Sequence, residues 1–256
     1  MTDGPLKTSL ERDGRLLRLT LSRPKANIVD AEMIGLLQNA LDTHLGNNEL
    51  AAVLLDADGP HFSFGASVEE HMPAQCAGML DKLHRLVLTL VESPVPVLSA
   101  VNGLCLGGGL ELVLSGNLIF ASETSGFGQP EIQLGVFAPA ASCLLPERVG
   151  QAGAEDLLFS GRTVDGRTAL DMGLVNVLND SPVDAALAYF DEQLAPRSSF
   201  SLRQAVKAAR SDFAARIRAK LESVERQYVE ELMAGRDPVE GLHAFVEKRT
   251  TQWEHH

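Results

Sequence analysis

Cationic side chains are scarce in this chain. Its 22 Lys and Arg stand against 34 Asp and Glu, and the formal net charge of the 256 residues is −12. A polyanion meets net repulsion, which argues against nucleic acid as the main partner and leaves only a local basic patch as a route to it. Cysteine is scarcer still. Cys76, Cys105 and Cys143 form no C-x-x-C pair, and their odd number and wide spacing exclude a disulfide framework or a zinc site and point to a reducing compartment. There is no long hydrophobic run either. The longest uncharged stretch, Ser93–Leu110, is broken by Pro94, Pro96, Asn102, Gly103 and Gly107–Gly109, so it reads as strand, turn and glycine loop and not as a membrane span. Met1–Ser9 carries Asp3, Pro5 and Lys7 with no apolar centre and does not read as a signal peptide. A soluble cytoplasmic protein is expected. His255 and His256 are given no role.

What is present is ordinary globular material: 45% hydrophobic and 22% charged residues. Leu16–Leu21, Ala51–Leu55, Val95–Val101 and Leu118–Ala121 read as strands. Met33, Leu36, Leu37, Ala40, Leu41 and Leu45 recur at helical spacing behind Asp30, a candidate N-cap, and Leu80, Leu83, Leu86, Val87 and Leu90 form a second stripe. Strands separated by such helices imply crossovers and a largely parallel sheet. The second half reads as strand-free, with helices at Ala152–Phe159, Ser181–Leu194 (Ser181-Pro182 as cap and first turn), Ser198–Arg210, Ile217–Leu232 and Pro238–Val246. The expected class is α/β, with a core over 1–195 and a helical region over 196–256. The apolar stripes of that region need a partner, either the core or a neighbouring subunit.

The most informative segment is Ala100–Leu112, where Gly107–Gly109 stand between a strand and a helix. Glycines there bring a ligand close to the main chain, and a helix N-terminus offers unpaired N–H groups to an anion or a developing oxyanion. A tight turn with close packing is the plain alternative. No Gly-Lys-Ser/Thr follows and no G-x-G-x-x-G is present, so neither a phosphate loop nor a dinucleotide fingerprint is read. Glu111 sits in the first turn amid leucines, and Glu131 stands between Pro130 and Ile132. Each is either a surface carboxylate or one of a pair that divides acid and base work in one pocket. Gly65-Ala66 offers another backbone N–H, and the amides of Ala66 and Gly108 could grip one carbonyl oxygen together.

Other residues read more plainly. His61, His71 and His84 lie in no metal or nucleophile-elbow motif and are taken as surface or loop histidines, with a minor substrate role open to His61 and His71, which flank Ala66. Cys105 and Cys143 read as small buried hydrophobes. Glu69-Glu70 and Glu230-Glu231 read as solvated helix faces, and Trp253 as a packing or subunit contact.

In family order, Arg23–Asn27, Phe64-Gly65-Ala66, Asn102-Gly103, Gly107–Leu112, Gly128–Ile132 with Leu134-Gly135, and Gly241 with Ala244–Arg249 resemble the crotonase (enoyl-CoA hydratase/isomerase) superfamily across nearly the whole chain. The resemblance implies a spiral of β-β-α units, a helical C-terminal trimerisation region, a homotrimer or homohexamer, and an oxyanion hole for a thioester carbonyl made by the N–H groups of Ala66 and Gly108. It implies an acyl-CoA substrate and no separate cofactor or metal. Glu111 would orient and deprotonate water, and Glu131 would handle the proton delivered to carbon; two glutamates argue for a hydratase. Further substrate contacts are implied at Lys25, Ala26, Phe64, Gly107, Phe137, Phe245 and Lys248. Lys25 could equally be a solvated charge, and Phe245 could belong to a core stripe with Leu242 and Val246. The chain departs from the common pattern at Ser67, where aspartate is frequent, and at Val136–Ser142, where a glycine-rich loop is usual. A reshaped acyl site is expected, and the phrases Lys25–Asp30, His61–His71 and Leu134–Leu145 imply 1,4-addition of water to a cyclic dienoyl thioester, attacking the ring end remote from the thioester. The alternatives are an open-chain enoyl-CoA hydratase, a ring hydrolase, or a non-catalytic or RNA-binding relative.

Overall fold

The computed structural model describes residues 4–23 and 25–256; Met1–Asp3 of the N-terminal segment and Pro24 of the Arg23–Asn27 phrase lie outside it. The chain runs β1 (Leu6–Glu11), β2 (Leu16–Leu21), α1 (Ala31–His44), β3 (Ala52–Ala57), α2 (Cys76–Val91), β4 (Val97–Val101), β5 (Leu104–Leu106), α3 (Gly107–Ser115), β6 (Leu118–Ala121) and β7 (Gly126–Gly128). It continues through α4 (Pro139–Ser160), β8 (Thr163–Asp165), α5 (Gly166–Asp171), β9 (Val177–Leu178), α6 (Pro182–Tyr189), α7 (Ser199–Arg226) and α8 (Arg236–Glu247).

The larger sheet has the order β1-β2-β3-β4-β6-β9. Its first pair is an antiparallel hairpin and every later pair is parallel. Helical crossovers cover both of its faces, so β3 and β4 are buried on both sides and read in the sequence as mostly apolar runs, interrupted by Asp56 and Ser99. A smaller sheet, β5-β7-β8, stands beside it. The Asp30 side chain caps α1 by accepting from the Met33 N–H, as the spacing predicts. The result is α/β, with two mixed sheets and long C-terminal helices.

Several expectations need correction. The second half is not strand-free: β8 and β9 hold three and two residues, too few to show an alternation. β1 was equally hidden, because beyond Leu6 its residues are mostly exposed. Ser181 precedes a first-turn Pro182 but makes no side-chain cap bond. The two helices expected at 198–210 and 217–232 are one: α7 continues through Arg226 into a wide turn at Gln227–Glu231. Residues 139–142 are not loop but the start of α4, with Pro139 in its first turn and a kink at Gly150, φ 71°. The C-terminal stripes pack on the chain's own core, which Ile217, Leu221, Tyr228 and Leu242 join. Trp253 lies against Gly135 and Gly241. Among the described residues, no helix is long and apolar enough to cross a membrane.

Candidate active site

The site grows from the joint between β4 and β5. Phe62 and Ser63 donate to the carbonyls of Asn102 and Leu104 at 2.9 and 3.1 Å, Leu106 donates back to the Ser63 carbonyl at 3.0 Å, and Val29 donates to the Gly65 carbonyl at 2.9 Å. His61 closes the joint, its Nδ1 accepting from the Leu104 N–H at 3.1 Å. Gly103 takes φ +57°, and a Cβ there would stand 2.0 Å from the Pro60 carbonyl oxygen, so no other residue fits. This stitching lays residues 63–66 along the start of α3. A Cβ on Gly108 would stand 3.1 Å from the Ala66 nitrogen. Gly108 is the second residue of α3, so its N–H has no intrahelical partner. The Ala66 N–H donates to no protein acceptor among the described residues. Both residues line one cavity.

Glu111 and Glu131 line the same cavity. Glu111 is the fifth residue of α3, one turn deeper than expected, and only 3% exposed. Its Oε1 accepts from the Ala141 N–H at 2.9 Å. Ala141 is in the first turn of α4, so the helix that replaces the glycine-rich loop turns its amide end toward this carboxylate. Burial pushes the Glu111 pKa up, and the Ala141 bond and the nearby His84 oppose that rise. Glu131 follows β7 in a short 3-10 turn, Pro130–Leu134, and is half-buried. Burial, and then repulsion from Glu111, raise its pKa from the ordinary 4.5 to about 8. The buried Gln129 faces it: with the amide nitrogen turned to the carboxylate, it donates to both oxygens at 2.9 and 3.0 Å.

Apart from His71, the remaining walls are apolar. Leu80 and Leu83 come from α2, Val136 and Phe137 from the segment before α4, and Leu242 from α8. Phe137 packs edge-on against Tyr228, ring centroids 5.2 Å apart. Phe64 and Gly107 complete the set of expected residues that the fold brings together. The other expected contacts do not line the cavity. Lys25 is exposed and Ala26 accepts from the Phe64 N–H at 2.8 Å. Phe245 is 54% exposed, so it is not part of a core stripe. Lys248 ends α8 in a left-handed conformation.

Further readings change. His84 is a buried residue of α2, paired through Nδ1 with Glu225 of α7, and not a surface or loop histidine. Glu70 is not merely solvated; its carboxylate accepts from the Ala31 N–H at the head of α1. His71 lines the cavity, a position its flanking of Ala66 had hinted at. Gln129 and Ala141 carried no sequence signal, because an amide and an alanine acquire their roles only from the neighbours the fold supplies.

The family model for enoyl-CoA hydratase/isomerase matches residues 11–256. The chain belongs to this family. It is 63% identical over 250 residues to the cyclohexa-1,5-dienecarbonyl-CoA hydratase of Thauera aromatica, spanning 98% of this chain and 97% of that protein. It is 32% identical over 247 residues to the 2,3-dehydroadipyl-CoA hydratase of Escherichia coli strain K12, covering 94% and 96% of the two. The crystal structure of an enoyl-CoA hydratase/isomerase from Pseudoalteromonas atlantica T6c superposes with a TM-score of 0.85 at 30% identity, over 98% of this chain and 100% of that one. In this enoyl-CoA hydratase/isomerase family member, Ala66, Gly108, Glu111 and Glu131 line one cavity between α2, α3 and the Pro130–Leu134 turn.

Proposed function

We propose that this chain is a hydro-lyase that adds water to cyclohexa-1,5-diene-1-carbonyl-CoA and yields 6-hydroxycyclohex-1-ene-1-carbonyl-CoA, a step of anaerobic benzoyl-CoA degradation. The observation that carries the reading is the meeting of two glutamates and two free amides in one apolar cavity, in a chain 63% identical to a protein of that activity.

The chemistry follows from the polarity of the substrate. The amides of Ala66 and Gly108 hold the thioester oxygen. Water attacks C2, the carbon β to the thioester, while ionised Glu111 takes one of its protons. The C1–C2 π electrons move toward the carbonyl and give a dienolate whose charge spreads over oxygen, C1 and C5. Protonated Glu131 then delivers its proton to C5, which leaves a C1–C6 double bond. Renumbered, that is the 6-hydroxy monoene. Attack at the end remote from the thioester, the sequence-based expectation, fails on electron flow: charge from C5 would reach C6 and C2 but never the carbonyl oxygen, and the two amides would have nothing to stabilise. Each such amide supplies roughly 3–4 kcal/mol in known oxyanion holes. A raised pKa suits Glu131 to carry the proton at neutral pH.

The same reading gives Lys25, Ala26, Phe245 and Lys248 to the CoA moiety, outside the acyl cavity. Residues 196–256 are assigned to assembly of a homotrimer or homohexamer in the cytoplasm; the exposure of Phe200 and Phe245 supports a covered surface. Incubating the protein with the cyclic dienoyl ester and following the hydroxylated monoene tests the function. Turnover confined to crotonyl-CoA would transfer it to the open-chain alternative.

A further inference from the structure

One polar group in the acyl cavity is left without a task by the acid–base pair. His71 follows Ala66 by five residues, closes a 3-10 turn at Glu69–His71, and lines the cavity with Val68, Leu80, Leu83 and Leu242. Its Nδ1 lies 2.7 Å from the Ser67 carbonyl oxygen. A carbonyl oxygen only accepts, so Nδ1 carries the hydrogen and, in the neutral ring, Nε2 carries a lone pair. Burial lowers the pKa of this imidazole, which keeps it neutral at physiological pH. Nε2 has no protein partner among the described residues. The ring is therefore tethered at one edge and offers a hydrogen-bond acceptor at the other, in a wall otherwise made of hydrocarbon.

A cyclohexadiene ring has no donor to offer that lone pair. The hydrated ring has one, the new hydroxyl. We infer that His71 is a specificity-determining residue whose Nε2 accepts a hydrogen bond from the ring hydroxyl of the hydrated thioester. This rests on the proposed hydratase reading and deepens it by naming the contact that separates product from substrate. A site that pairs a hydroxyl discriminates against the analogue lacking it, because the acceptor lining the cavity then loses its partner.

The test compares two esters, 6-hydroxycyclohex-1-ene-1-carbonyl-CoA and cyclohex-1-ene-1-carbonyl-CoA, by calorimetric affinity for the wild type, His71→Leu and His71→Gln. The expected result is that His71→Leu binds the hydroxylated ester about tenfold or more weakly, a factor worth about 1.4 kcal/mol, while the ester without a hydroxyl binds as well as before or better. His71→Gln, which keeps an acceptor, restores part of the preference. A lesion of folding alone would weaken both esters together. An unchanged affinity ratio in His71→Leu overturns the inference. A second readout needs no variant: in the wild type, the Nε2 15N resonance of His71 should shift with the hydroxylated ester and stay still with the other, and equal shifts with both overturn the inference too. Failure of the wild type to hydrate the dienoyl ester would instead remove the proposed function, so the two failures are separable.

Discussion

Glu131 Oε1 occupies the space in which a side chain on Gly107 would begin: a Cβ there would stand 2.7 Å from it. Gly107 also takes φ +50°, a conformation that costs a side-chain-bearing residue on the order of 1–3 kcal/mol. The Gly107→Ala variant is therefore expected to fold with reduced stability and to push the Glu131 carboxylate out of place. Hydration should fall by about a hundredfold, the scale of a misplaced catalytic group, while CoA-ester affinity changes little. Parallel loss of affinity and turnover would mean that the lesion reaches beyond Glu131.

Removing either acid should be as damaging as displacing one. Glu111→Gln and Glu131→Gln keep shape and lose proton transfer, so each should lower kcat by roughly a hundredfold to ten-thousandfold. Binding of a non-reacting ring thioester should survive in both, since the amides of Ala66 and Gly108 remain. Steady-state rates beside calorimetric affinities check this, and full activity in both variants would remove the acid–base assignment.

The raised Glu131 pKa has a kinetic and a thermodynamic consequence of fixed sign. If Glu131 must be protonated to deliver a proton, kcat/KM for hydration falls tenfold per pH unit above about pH 8, and because Glu111 must be ionised to take one, an acid limb stands on the other side of the optimum. The folded state holds this proton from the ordinary 4.5 up to about 8, whereas the unfolded chain releases it near 4.5. The unfolded state thus binds fewer protons within that window, and stability declines as pH rises through it. Glu131→Gln has no such proton to lose. Its Tm relative to the wild type should climb between pH 5 and pH 8, and a constant difference across that range would contradict the burial of the charge.

How much of this was legible in the sequence depends on distance along the chain. The helices with clear stripes and the buried parallel strands were readable, because Met33, Leu37 and Leu41 repeat at helical spacing and Val97–Val101 forms a short, mostly apolar run. β5, β7, β8 and β9 were not, since two or three residues show no period and their pairing is decided by partners far off in sequence. The same division holds in the site. Glu111, Glu131, Ala66 and Gly108 stood out as acids in apolar text and as glycine-adjacent amides. The start of α4 is hidden because Val136–Ser142 stands where a glycine-rich loop is usual, and its bond from Ala141 to Glu111 exists only once Pro139 begins a helix. His84 looked like any lone histidine until α7 brought Glu225 to it across 141 positions.

Gln129 gives the most discriminating check on the site. It is 1% exposed and, with its amide nitrogen turned to the carboxylate, donates to both oxygens of Glu131 at 2.9 and 3.0 Å. Donation to a carboxylate favours its ionised form, so the amide partly offsets the burial that raises the Glu131 pKa. Replacing it with the near-isosteric methionine removes the donors without opening a large cavity. Glu131 would then hold its proton more tightly and lose an orienting contact. In Gln129→Met, kcat should fall about tenfold, KM should stay within a factor of about two, and the alkaline limb of kcat/KM should move to higher pH. Gln129→Glu should do worse, since it sets a third carboxylate against Glu131. A Gln129→Met enzyme with the wild-type pH profile and a proportionate loss in KM would assign the residue to packing, because only a group bonded to Glu131 can move the pH at which that acid lets go of its proton.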